Sequence, residues 1–163
     1  MTCLVPHVFA GPATFAVGPD AISIRQQQHQ ITFHALDTPG TGALALSRIT
    51  PLLEASERAS RFDWDGHGAR AANADSIRHA ARFLASLPSS HPTPDVGVDP
   101  DGDISFEWYA SPELLFSISI APGGELHYAG RFGKSRVRGK EAVASSASSS
   151  ILRSYIKRVS ESF

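Results

Sequence analysis

The chain holds a single cysteine, Cys3. That excludes an internal disulfide framework and any metal site built from cysteines alone. No apolar run approaches the about 18 residues that a membrane-spanning helix needs. Charge is sparse, at 19% of residues, below the roughly 25% of an average soluble protein. The net charge of −1 marks the whole chain neither as a polyanion binder nor as an acidic solvating tail. No Lys or Arg precedes Arg25, and Pro6, Gly11 and Pro12 interrupt the apolar start. A secretory signal needs both a basic region and an unbroken apolar one, so a cytoplasmic location is expected. Catalytic signatures are missing as well. The seven histidines show no His-x-x-x-His spacing for a metal on one helix, and the serines form no Gly-x-Ser-x-Gly elbow. Gly130 to Ser135 ends in Gly-Lys-Ser, but Tyr128 stands where a phosphate-binding loop requires its first glycine.

What remains is a chain of 163 residues, 42% of them apolar. That length and composition suit one domain over 1–163 with one core and no membrane association. Within it, 1–45 reads as a mainly β extension, because Ile22 and Ile24, then Ile31, Phe33 and Ala35, alternate with polar residues. Residues 46–140 read as helices plus a β-meander. Thr50-Pro51 suits a helix start, with Pro at the first helical position. Leu52, Leu53, Ala59 and Phe62 would share the buried face of that helix. Asn73 caps a second helix that ends near Leu87, before Pro88. Val96 and Val98 open the β pattern, and Asp101-Gly102 is a hairpin turn signal. Ile104, Phe106 and Trp108 then alternate with Ser105, Glu107 and Tyr109, and Phe116, Ile118 and Ile120 with Leu115, Ser117 and Ser119. Leu126, Tyr128 and Phe132 continue a fourth strand. The stretch 141–163 reads as a C-terminal helix, with Ile151, Leu152, Tyr155, Ile156 and Val159 at helical spacing and the serines before it forming a poor first turn and cap. The expected fold is α+β: an antiparallel meander of four or more strands packed against two or three helices.

One run is distinctive: Trp64-Asp65-Gly66-His67-Gly68-Ala69. It is followed by a helix ending in Leu87-Pro88, then Asp101-Gly102, Glu107-Trp108, Tyr128-Ala129-Gly130 and Val137-Arg138-Gly139. The order resembles a group of bacterial proteins with a Trp-Asp-Gly-aromatic-Gly-Ala motif, a Leu-Pro helix end and an Asp-Gly hairpin carrying Glu-Trp. The likeness spans Trp64 to Gly139, and His67 replaces the aromatic of the motif. No activity is attached to that group. The resemblance implies a small cytoplasmic protein of mobile or accessory genes, including defence-associated ones.

Two groupings invite a chemical reading. Asp63, Asp65, His67 and Glu107 would form a metal-dependent hydrolase or nuclease site if they converged. A turn is the commoner use: Trp64, Asp65, Gly66 and Gly68 supply a core plug, a carboxylate that accepts backbone N–H groups, and unusual φ angles. Neither a cofactor nor a metal is expected. The second grouping is charge. Arg131, Lys134, Arg136, Arg138 and Lys140 fall within ten residues. From Glu125 to Phe163 eight Lys or Arg face three Glu, a net of +5; from His91 to Gly124 there are six acids and no Lys or Arg. The basic stretch could pair with those acids across adjacent strands. Together with Trp108, Tyr109 and Tyr128, the residues Arg131, Lys134, Arg136 and Arg138 are of the types enriched at interface centres. The expectation is therefore a non-catalytic module, accessory or inhibitor-like, that binds a protein partner. Nucleic-acid binding through Arg131–Lys140 is the alternative. The sequence leaves the oligomeric state open.

Overall fold

Residues 42–143 and 149–161 are described by a computed structural model, and the predicted β extension over 1–41 lies outside them. Helix α1 spans Gly42–Arg58, so positions 42–45, expected to be extended, are helical. The expected start at Thr50-Pro51 is corrected too, because Pro51 lies inside the helix. An interior proline removes one helical N–H and costs roughly 3 kcal/mol. Packing offsets that cost: Leu52, Ala55, Ser56 and Ala59 are buried on the next turns. The Thr50 hydroxyl, inside the helix and not at its start, donates backwards to the Leu46 carbonyl at 2.8 Å. Phe62, assigned to the buried face, is 70% exposed, because the helix ends at Arg58 and its periodicity no longer applies.

Helix α2 spans Ala74–Ser86, with Asn73 as its cap. The Asn73 side chain accepts from the Asp75 amide at 2.9 Å and from the Ser76 amide at 3.4 Å, partners the first turn otherwise lacks. Ile77, Ala80, Ala81 and Leu84 recur at three- and four-residue spacing, and all are buried.

Five strands follow: β1 (Asp95–Val98), β2 (Ile104–Ser111), β3 (Leu114–Ile120), β4 (Glu125–Phe132) and β5 (Ser135–Ala142). They form one antiparallel meander in sequence order. The fold is thus α+β, with an antiparallel meander and three described helices. The fifth strand is the basic stretch itself. It runs on through 141–142, so the C-terminal helix begins later than expected: α3 spans Ser150–Ser160, capped by Ser149.

Alternation divides the sheet into two faces. Ile104, Phe106, Trp108, Phe116, Ile118, Ile120, Leu126 and Phe132 are buried on one face, in a single cluster with the apolar stripes of the three helices. Phe116 sits at its centre, its ring centroid 5.5–6.4 Å from those of Trp108, Tyr128, Phe132 and Tyr155. Arg48, only 8% exposed, ties the helical layer together. Its guanidinium donates to the carbonyls of Leu87 at 2.7 Å, Pro88 at 2.8 Å and His91 at 2.7 Å, so α1 grips the chain where α2 ends. Burial pulls its pKa below the ordinary guanidinium value. Among the described residues no helix is long and apolar enough to cross a membrane.

Candidate functional site

The Trp64 turn joins α1 to α2. Asp63 adopts a positive φ of 60°, its amide donates to the Ala69 carbonyl at 2.7 Å, and its carboxylate accepts from the Gly68 amide at 2.7 Å. Asp65 accepts from the amides of His67 at 2.8 Å and Ala69 at 3.1 Å. The His67 amide, foremost, holds the Asp65 carboxyl below its usual range. Trp64 packs against the core and its indole N–H donates to the Arg70 carbonyl at 3.0 Å. Both carboxylates thus serve the loop's own amides. Among the described residues no three His, Cys, Asp or Glu side chains gather into a group that could hold a metal. Asp63, Asp65, His67 and Glu107 therefore form no common metal site.

Among the described residues no helix covers the other face of the sheet. Its residues stand in cross-strand rows set by the register. The middle row is Asp95, Glu107, Ser117, Ala129 and Arg138; one flanking row is Gly97, Ser105, Ser119, His127 and Lys140. The other is Tyr109, Leu115, Arg131 and Arg136. The first two rows floor an open trough of about 880 Å³ that also takes in Asp99. Small side chains make its floor and long charged ones its two margins, acidic over β1 and β2 and basic over β4 and β5.

This placement sorts the interaction candidates. Tyr109 is 47% exposed, whereas Trp108 is 3% exposed. The Trp108 ring lies in the core and its N–H donates to the Pro92 carbonyl at 3.0 Å. Tyr128 also lies on the covered face, packed against Phe116 and Tyr155, and burial pushes its phenol upward in pKa. Trp108 and Tyr128 are therefore removed from the exposed set: period-two alternation sends them to the face opposite Tyr109. Arg131, Arg136, Arg138 and Lys140 all share the open face, and Lys134 lies exposed in the β4–β5 turn beside Gly133.

The expected charge ladder between the early acids and the late bases forms only at one corner. Arg131 reaches Glu113 at 3.7 Å. Lys140 pairs instead within its own hairpin, with Glu125 at 3.2 Å, and Glu125 also takes the His127 imidazole at 2.7 Å. These contacts, led by the Lys140 hydrogen bond, hold the Glu125 carboxyl down. β3 keeps the other acids and bases apart. Among the described residues, neither Arg136 nor Arg138 has a carboxylate within ion-pair distance, and neither Asp95 nor Glu107 has a cation. Asp95 instead faces Glu107 directly, and Arg131 faces Arg136. Like charges directly opposite on one face are destabilising. At the trough's end the Ser119 hydroxyl donates to Asp99 at 2.7 Å. Burial, then the nearby Asp101 and Asp99 charges, raises the Asp103 carboxyl.

Comparison of the chain with protein-family models, with curated proteins and with solved structures finds no match in any of the three.

Proposed function

We propose that the protein is a non-catalytic binding module that docks a protein partner on the open face of its sheet, as an accessory or inhibitor-like subunit. One observation carries the reading: this face, which no described helix covers, bears Asp95 against Glu107 on one margin of a small-residue trough and Arg138 and Lys140 on the other, with Arg131 against Arg136 in the row beside it. The Asp95–Glu107 pair, with no cation at ion-pair distance among the described residues, costs stability in the isolated chain, and a partner with complementary charges relieves it. Tyr109 and Leu115, beside the arginines, add the apolar contact that interface centres favour. The motif likeness of Trp64 to Gly139 is consistent with an accessory protein of mobile or defence-associated bacterial genes acting in the cytoplasm.

The shared face of Arg131, Arg136, Arg138 and Lys140 supports nucleic acid as a second reading. The acids on the same face oppose it, since a polyanion lying along the rows would meet Asp95 and Glu107. Both are tested with Arg136→Glu/Arg138→Glu. Proteins captured from the native host by the wild type and lost by this variant support docking; retention of every captured protein refutes it. Binding of a short duplex or single strand that falls steeply between about 50 and 200 mM salt would replace it with the nucleic-acid reading.

A further inference from the structure

We infer that the partner of the open sheet face is a second copy of this chain, seated face to face about a two-fold axis that runs along β3. The inference rests on the docking reading above and names its occupant. It follows from the order of charge across the rows. Such an axis turns each row end for end over itself. Asp95 then stands over the partner copy's β5, at Arg138, with Arg136 and Lys140 in the flanking rows. Glu107 stands over the position of Ala129, next to the same arginine. Tyr109 comes over the β4–β5 margin at Arg131 and Arg136, where guanidinium groups stack on an aromatic face. Leu115, Ser117 and Ser119 of β3 meet their own counterparts on the axis.

Two features of the face fit this arrangement. Its charge is segregated about β3, acidic on one margin and basic on the other, so a two-fold along β3 sets each margin over one of opposite sign, as an isologous contact requires. Acids on β1 and β2 answer bases on β4 and β5: the Asp95–Glu107 pair gains the partner copy's Arg138, and the Arg131–Arg136 pair gains the partner copy's Tyr109 ring. The trough supplies the depth. Gly97, Ser105, Ser117 and Ser119 leave space above the sheet, so the opposing arginines reach inward between sheets about 10 Å apart. A net charge of −1 adds little long-range repulsion between copies.

The size of the face sets the strength. Five strands about 4.8 Å apart, with about seven residues each at 3.3 Å, cover roughly 550 Å² per copy. The roughly 1,100 Å² buried in total lies at the low end of specific interfaces. The dimer is therefore weak, with a dissociation constant in the micromolar range or above, and it is salt-sensitive because its pairs are charged.

Sedimentation velocity of the full chain, from micromolar to hundreds of micromolar, tests this. At about 50 mM salt the mass should rise with concentration from one chain to two, and at about 500 mM the dissociation constant should rise at least about tenfold. Asp95→Arg/Glu107→Arg and Arg136→Glu/Arg138→Glu should each remain single chains. An equimolar mixture of the two should recover the two-chain mass, because each face now complements the other; recovery also shows that both variants fold. Single chains at every concentration, pairing of unchanged strength in both variants, or failure of the mixture to pair would each overturn self-docking. The broader docking reading fails separately, when no host protein captured by the wild type is lost by Arg136→Glu/Arg138→Glu.

Discussion

Replacing Arg48 by Met removes the guanidinium and keeps an unbranched stem of similar reach, so the effect isolates the three hydrogen bonds to Leu87, Pro88 and His91. Bonds from a charged donor contribute about 1.5–3 kcal/mol each when shielded. The Leu87 bond is buried and should contribute about 2 kcal/mol. The other two are partly buried, and water replaces the donor there, which leaves about 0.5 kcal/mol each. The expected loss is about 3 kcal/mol, a fall in melting temperature of about 6–12 °C for a chain of this size. Urea titration and thermal melts followed by circular dichroism measure it. Arg48→Lys should recover less than half, because one ammonium cannot span three carbonyls as a planar fork does. A loss under about 1 kcal/mol for the Met variant, or full recovery by Lys, would refute the view that this clamp joins α1 to the end of α2.

Phe116→Ala, at the centre of the aromatic cluster, should destabilise by about 3–5 kcal/mol in urea titration. Gly102→Ala should lower the melting temperature markedly, because φ is 92° and an added Cβ would lie 2.5 Å from the Ala71 carbonyl oxygen. The same substitution at the exposed Gly123, where an added Cβ meets nothing within 4 Å, should be far milder. His91 binds the Arg153 carbonyl through Nε2 at 3.3 Å, and burial, foremost, lowers its pKa. Its contribution to stability is therefore full above the ordinary imidazole pKa, shrinks as pH falls toward the lowered folded value, and is flat below that. His91→Gln keeps a donor without the titration, so its stability should fall less than that of the wild type between pH 7 and 5; parallel pH profiles would contradict this.

Much of the fold could be read from residues alone, where a local cause acts on a local element. Asn73 and the stripe from Ile77 to Leu84 define α2 within a residue or two, because capping and a 3.6-residue period need no other segment. The alternation from Ile104 to Ile120 marks β2 and β3, and the Asp101-Gly102 turn sets β1 against β2. The misreadings share one origin. Pro51 looked like a helix start because its cost is local, while the packing that offsets it is not. β5 lacked a strong alternating signal because it is an edge strand with only Val137 against the core.

The candidate site shows the same division more sharply. Residue types and their segregation by charge were visible in the sequence, and the Asp-Gly turn already implied a hairpin. Which aromatic would be exposed depended on parity: Tyr109 and Trp108 are neighbours in the chain and lie on opposite faces. That β3 separates the acids from the bases, leaving Asp95 against Glu107 and Arg131 against Arg136, depended on strand order. Local propensity and period follow from the chain itself. Which charges become neighbours is settled by long-range pairing of strands, and that is decided only when the sheet closes over its core.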